Sequence, residues 1–287
     1  MKLNYTSILA CLFVLIFLEG YGQSNLLNAV DPIEIGQKNI DQKQSDTDSF
    51  LEYNLLDDRD ILWSKIVYEY IDLDEKLNFP LLFPIIDVEE ERIRKSLWRV
   101  LKENILAGNI TKIYEGDEDN FNFPMKMTGE NSAIEKIEYV KKYTDGSDDI
   151  ERELLSDDIS GYKIKGVWYF DKKIGEMRYR LLGLMPIGKD LKKDDSKKDA
   201  NIFWIWYPSI RKVLHAAEVY NDKNNATRIS FDQLLVSRRF NSYIYKEDNM
   251  YGNRSIKDYK KPGLETILES ERIKKEILDF EQDMWNR

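Results

Sequence analysis

Apolar residues recur every three to four positions in several segments of the chain, a spacing that predicts amphipathic helices. Asp87 and Ser230 are placed to cap two of them, and Pro262 precedes the last, where proline is tolerated. The helices expected on these grounds cover residues 57–77, 88–106, 231–239 and 264–285. The last helix carries an apolar stripe formed by Leu264, Ile267, Leu268, Ile277, Leu278 and Met284.

A different pattern, strict alternation of polar and apolar residues, occupies 176–182. An aromatic-rich segment at 162–170 and a turn at 171–175 precede it. The three segments together predict a β-hairpin with one solvent-exposed face and one buried face. A continuous apolar run at 202–207 predicts a strand covered on both faces. Two further strands are expected at 210–220 and 241–246.

These elements predict an α+β fold, in which an antiparallel sheet is packed by helices. The helices come first, so we expect an N-terminal helical region, and the chain closes with the long helix. We expect one domain over 57–287, with a helical part at 57–160 and a sheet-containing part at 161–287. A short helix is expected at 133–143, between acidic loops at 117–130 and 144–160, and a charged, solvated loop at 188–200.

The N-terminus has the layout of a secretory signal peptide, with Lys2 ahead of an apolar run at 8–18. The run is too short for a membrane-spanning helix, so cleavage is expected after Gly22. Cys11 raises the alternative of lipid attachment. The apolar run continues beyond this cysteine, which argues against that alternative. Removal of 1–22 leaves a chain without cysteine, so neither disulfides nor thiolate metal sites are expected.

Residues 23–56 form a polar arm with a brief apolar stretch around Pro32. This stretch could dock onto its own domain or onto a neighbouring subunit, and the sequence is equally compatible with both. The chain has 43 Lys and Arg against 52 Asp and Glu, a formal charge of −9, so no electrostatic attraction to nucleic acid or anionic lipid is expected. We expect no direct membrane insertion, and association with a membrane only through a partner.

Residues capable of catalysis are few. His215 is the only histidine, and it falls in an expected strand, where a packing role is the ordinary one. Asp57, Asp58 and Asp60 surround Arg59 and could provide acid and base groups, but helix capping explains them better. No glycine-rich phosphate loop is present, so no nucleotide cofactor is expected. The acidic runs lack the glycine spacing of a calcium loop, and one histidine without cysteine cannot build a Cys/His site, so no metal is expected either.

Aromatic residues and arginines are dense in the second half of the chain. These residue types dominate the energetics of protein interfaces. Most of these residues are expected in the core. The more specific hypothesis is that some of them form a large contact with another protein. The candidate interface residues are Trp63, Arg59, Trp168, Arg180, Trp204, Trp206, Tyr207, Arg238, Arg239 and Trp285.

Several short segments, in order, resemble the gliding-motility protein family GldN, also called PorN. They are DDRDILWSK (57–65), NFPL (78–81), GVWYFDK (166–172), YRLLG (179–183), FWIWYP (203–208), ISFD (229–232), RRF (238–240), YKEDN (245–249) and DMW (283–285). The resemblance implies a periplasmic subunit of the type IX secretion system. It also implies a ring with an outer-membrane lipoprotein of the GldK/PorK type, at the inner face of the outer membrane. It brings no catalytic residue.

The working hypothesis is therefore a structural subunit and not an enzyme. Two alternatives come from other classes of protein. A carboxylate-dependent hydrolase would lose turnover in Asp58→Asn or Asp60→Asn with its fold intact. A chaperone-like binding module would have a deep apolar groove and bind unfolded clients transiently.

Overall fold

A computed structural model describes residues 50–85, 95–117, 119–129, 131–141, 150–189, 199–219, 229–250 and 252–285. Nine strands lie in these ranges: β1 Ile61–Asp72, β2 Ile113–Glu115, β3 Glu138–Lys141, β4 Ile150–Glu153, β5 Ile159–Asp171, β6 Glu176–Lys189, β7 Asp199–Asn201, β8 Phe203–Trp206 and β9 Tyr243–Glu247. Seven α-helices accompany them: α1 Phe79–Leu82, α2 Leu97–Leu106, α3 Ala133–Ile137, α4 Tyr207–Ala216, α5 Phe231–Val236, α6 Ile256–Tyr259 and α7 Leu264–Trp285.

The main sheet is antiparallel and has seven strands. Its order is β2-β8-β6-β5-β1-β9, and β7 pairs with the far end of β6. The β5–β6 hairpin forms its centre, and β3 and β4 form a separate two-stranded sheet. The predicted α+β class, the hairpin strands and the long C-terminal helix are therefore confirmed. The expected solvent-exposed face of the hairpin is wrong, because β5 buries Ile164 and Phe170 on one face and Lys165 and Tyr169 on the other.

Both faces of the main sheet carry buried apolar clusters, and alternate residues of each strand contribute to opposite faces. On one face, Ile71, Ile164 and Leu184 pack in the largest apolar cluster, which also contains buried residues of α2, α3, α4 and α5. On the same side of β1, Val67 packs with Ile273 of α7 in a second cluster. The opposite face carries a third cluster, formed by Tyr68, Met185, Ile187 and Trp204.

The helix expected at 57–77 is wrong, since this segment forms β1. Ile61, Leu62, Lys65 and Ile66 fit a helical spacing, but β1 is rich in β-branched and aromatic residues and lies between β5 and β9. Backbone pairing with β5 runs from Ile61 to Asp72, and pairing with β9 covers Val67 to Tyr70. This long-range contribution overrides the local pattern.

The strand expected at 210–220 is also wrong. Helix α4 starts at Tyr207 with Pro208 in its first turn, where proline needs no intrahelical donor. Ile210 and Leu214, four residues apart, lie on one buried face of that helix. His215 accordingly lies in the last helical turn and not in a strand.

Other boundaries shift. Of the helix expected at 88–106, the structure describes residues 95–106. The helix begins at Leu97, and Ser96 is its cap. Residues 86–94, which include the expected cap Asp87, lie outside the described residues. The helix expected at 133–143 ends at Ile137 and continues as β3. The loop expected at 144–160 contains β4 and the start of β5. The loop expected at 188–200 begins with the end of β6 and finishes with β7. Residues 142–149 and 190–198 are not described.

Several predictions are confirmed. Strand β8 lies within 202–207, and β9 overlaps 241–246. Ser230 caps α5 by accepting a hydrogen bond from the Gln233 backbone N–H at 3.2 Å. The long helix has the predicted bounds, Leu264–Trp285.

Candidate interaction surface

Arg238 is held between aromatic rings and a buried carboxylate. Its guanidinium lies 4.2 Å from the ring centroid of Tyr179 and 5.3 Å from that of Trp168. Nη2 donates a 2.6 Å hydrogen bond to Oε2 of Glu69, whose residue is only 1 % exposed. Burial lowers the pKa of Arg238, but the charge of Glu69, its hydrogen bond and the neighbouring Tyr179 together outweigh burial, so the pKa lies above its ordinary value.

Two further arginines share one tyrosine. Tyr53 precedes the first strand, and its ring lies 4.3 Å from the guanidinium of Arg211 and 4.9 Å from that of Arg180. Its hydroxyl donates to the Leu181 carbonyl at 3.3 Å, and Arg180 Nη2 donates to the Asn54 carbonyl at 2.7 Å. Burial raises the pKa of Tyr53 to about 12, although Arg211 pulls it down. These contacts attach the end of the N-terminal arm to the domain.

Arg211 also makes a buried, bidentate ion pair with Asp232. Nε donates to Oδ1 at 2.9 Å and Nη2 donates to Oδ2 at 3.0 Å, and the Tyr207 hydroxyl donates to Oδ1 at 2.8 Å. Burial lowers the pKa of Arg211, but the hydrogen bonds that Asp232 accepts and the negative charge of Asp232, together with nearby Tyr53 and Tyr207, raise it above its ordinary value. Burial and then the charge of Asp232 raise the pKa of Tyr207 well above its usual range.

We call this set of contacts the arginine–aromatic cluster: Arg180, Arg211 and Arg238 with Tyr53, Trp168, Tyr179, Glu69 and Asp232. Each guanidinium already faces rings and a hydrogen-bond acceptor of the same chain. Such pairs hold segments together in a fixed geometry. The cluster therefore joins the arm, the central hairpin and helices α4 and α5.

The cluster lies beside an unpaired stretch of sheet edge. Along this edge of β6, strand β8 pairs with Gly183 and Leu184 only, and strand β7 pairs with residues 187–189. Within the described part of the chain, residues 176–182 of β6 pair with β5 alone. Tyr53 and Asn54 meet this edge at Arg180 and Leu181 without forming a strand.

The other candidate interface residues are dispersed over the domain. Trp204 and Tyr207 are buried in the core. Trp63 stacks on Phe280 of α7, with ring centroids 4.7 Å apart, and Trp206 packs edge-on against Phe121. Arg59 and Arg239 are exposed, and Trp285 is the last residue of α7. The sequence therefore did not separate core residues from surface residues among these candidates.

Helix α7 carries apolar residues on two opposite sides, not in one stripe. Ile273 and Ile277 are buried against β1 and β9. The outward-facing residues are Leu264, Ile267, Leu268 and Leu278, with exposures of 71, 60, 58 and 51 %. Leu264 and Ile273 are nine residues apart, which turns an α-helix by about 900°, or half a turn beyond two full turns. The outward stripe is the largest regular set of exposed apolar residues on a described helix.

The acidic residues near the start of the domain have ordinary structural surroundings. Asp58–Asp60 is one turn of 3-10 helix, and Asp57 makes no side-chain cap, so the capping explanation is wrong. Asp60 instead pairs with Lys173 in the hairpin turn. His215 packs edge-on against Phe50 at 6.3 Å. Across the described ranges no three His, Cys, Asp or Glu side chains form a metal-binding group.

Sequence reasoning missed Tyr53, Glu69, Arg211 and Asp232. Glu69 carried a detectable signal, since it is a charged residue inside an apolar, aromatic run. Asp232 follows the Ser230 cap, and the first turn of a helix is an ordinary place for an acid. Tyr53 and Arg211 lie far apart in the chain, and no local pattern links them.

The family model described as gliding motility associated protein GldN matches residues 56–286. A search of curated proteins gives no match. Among the helices that the structure describes, none has the length and apolar character to cross a membrane.

Proposed function

The chain belongs to the GldN family, and from this premise we propose that it is a periplasmic structural subunit of the type IX secretion and gliding machinery, assembled in a ring with an outer-membrane lipoprotein of the GldK/PorK type. Membership in the family makes it a component of gliding motility and type IX secretion. The single observation that carries the proposal is the family match, which covers the domain from before β1 to the end of α7.

Exposed apolar groups support a role in protein contacts. Besides the outward stripe of α7, Leu51 and Leu55 of the arm are 86 and 102 % exposed. Apolar residues exposed next to one another favour sites of protein contact. Arg59 and Arg239 add exposed guanidinium groups, which are common in interfaces. We infer that the arm and α7 supply contact surfaces for the assembly.

A structural role also agrees with how the charged residues are used. Asp232, Glu69 and Asp60 each pair with a cation of the same domain. In these pairs the charges hold elements together: Asp232 joins α5 to α4, and Glu69 joins β1 to the segment after α5. We therefore propose that the chain is not an enzyme and needs no cofactor.

Location at the inner face of the outer membrane is part of the same proposal. The signal segment at 1–22 would export the chain, and the lipoprotein partner would hold it at the membrane. Self-association within the ring and inner-membrane-anchored secretion components are further proposed contacts. Mass spectrometry of the purified chain tests the first step, with a new N-terminus near Gln23 as the expected result.

Co-purification from detergent-solubilised envelope is the main test. A C-terminally tagged chain is captured from its native cell, and a tagged periplasmic protein of similar size serves as control. We expect a lipoprotein of the GldK/PorK type in stoichiometric amount, and loss of type IX secretion when the gene is deleted. A chain that stays monomeric when that lipoprotein is present overturns the proposal. So does a turnover abolished by Asp60→Asn with the fold intact, which points to a hydrolase.

A further inference from the structure

We propose that two copies of this chain pair through the outward stripe of α7, with the two helices antiparallel. The inference concerns contact between two identical chains and does not depend on the lipoprotein. It starts from the observation that α7 has a buried side and, opposite to it, an exposed apolar side.

The spacing along the exposed side is that of a coiled-coil seam. Steps of four and three residues alternate through Leu264, Leu268, Glu271, Lys275, Leu278 and Gln282, and all six are exposed. A repeat of 3.5 residues keeps one seam facing a partner helix along its whole length. The helix has 22 residues, so the seam is up to about 33 Å long.

Charge selects the direction of pairing. In a parallel, in-register pair, Glu271 would face Glu271 and Lys275 would face Lys275, so both central layers would repel. In an antiparallel pair centred near residue 273, each Glu271 faces a Lys275 of the other copy. The same register places each Leu268 against a Leu278. The stripe is therefore complementary to itself only in the antiparallel direction.

The flanking cations do not oppose this arrangement. Arg272 and Lys274 also lie near the two-fold axis, but both are held toward their own domain. Lys274 Nζ donates to the Ser242 carbonyl at 3.0 Å, and Arg272 Nη2 lies 3.6 Å from Oε1 of Glu247. Glu271 also accepts a hydrogen bond from Lys274 Nζ of its own helix at 3.1 Å, but its carboxylate remains on the solvent-exposed side. Lys275 is exposed on the same side, so Glu271 of one copy can meet Lys275 of the other.

Charge exchange tests the pairing in solution. The mature chain, residues 23–287, contains no cysteine; it is purified, and its mass is followed by sedimentation equilibrium. We expect a reversible dimer. Glu271→Lys should raise the dissociation constant by about tenfold or more, because both central layers become Lys–Lys, and adding Lys275→Glu should restore it. Ile174→Asp, in the exposed hairpin turn, is the matched control and should change nothing.

Disulfide trapping tests the register. With Leu268→Cys and Leu278→Cys in one chain, the two sulfurs are about 15 Å apart along the helix, too far for an internal bridge. We expect a covalent dimer under oxidising conditions from this double variant and none from either single variant. Cross-linking of the single variants indicates parallel pairing and overturns the inference. A wild-type chain that is monomeric at all concentrations also overturns it, and leaves the lipoprotein proposal standing.

Discussion

Removal of the Asp232 carboxylate should be the most damaging single change in the arginine–aromatic cluster. Arg211 and Asp232 are each only 2 % exposed, so Asp232→Ala leaves a guanidinium buried without its anion. Loss of one partner of a buried, well-aligned pair costs about 3–5 kcal/mol. The Tyr207 hydroxyl also loses its acceptor. We therefore expect the free energy of unfolding to fall by about 3–5 kcal/mol, which lowers the melting temperature by roughly 6–20 °C for a domain of this size.

Matched variants separate the charge from the hydrogen bonds. Asp232→Asn keeps an acceptor for Tyr207 and removes the charge, so it should lie between wild type and Asp232→Ala. The double variant Arg211→Leu with Asp232→Leu removes both charges, and it should cost less than Asp232→Ala alone because no uncompensated ion remains.

Urea unfolding followed by circular dichroism gives the free energies for this cycle. An Asp232→Ala variant that loses less than about 1 kcal/mol would refute the reasoning, because a loss that small is typical of an exposed ion pair. Strict additivity of the single changes Arg211→Leu and Asp232→Leu in their double variant would refute it as well, since the pair would then not be coupled.

Three further changes probe other features. Gly166→Ala places a methyl group 2.1 Å from the Tyr179 hydroxyl, so urea unfolding should show a loss of about 1–3 kcal/mol together with altered near-ultraviolet dichroism. Ser230→Ala removes the cap of α5, and the loss in the same assay should be about 0.5–2 kcal/mol, with Ser230→Asp close to wild type. Tyr53 has a pKa of about 12 in the fold and about 10 when unfolded, so its contribution to stability is complete below pH of about 10 and is lost as pH rises toward about 12. The difference in unfolding free energy between wild type and Tyr53→Phe should shrink across that window, and a difference independent of pH contradicts this assignment.

Elements with a purely local signal were predictable from the sequence. The β5–β6 hairpin alternates, α5 has a capping serine, and α7 has both a proline before it and helical periodicity. Strand β1 and helix α4 were not predictable, because their local patterns fit either element. What decides β1 is pairing with β5 and β9, and the latter strand lies more than a hundred residues away.

The candidate surface was predictable only as a set of residue types. Composition pointed to tryptophan, tyrosine and arginine, but it could not show that Trp204 is buried or that Arg238 is neutralised by Glu69. The outward side of α7 was hidden for a related reason. Apolar residues occur on two opposite sides of that helix, and a sequence pattern does not state which side meets the sheet.

The packing of α7 on β1 has a consequence for how the chain matures. Trp63 and Val67 of the first strand are covered by Phe280, Ile273 and Ile277, which belong to the last helix. A polypeptide emerging from a ribosome or a translocon thus presents its first strand long before the covering helix is available. Completion of the fold must wait for the final turns of the chain, and any product that ends early will carry an uncovered, aromatic strand surface.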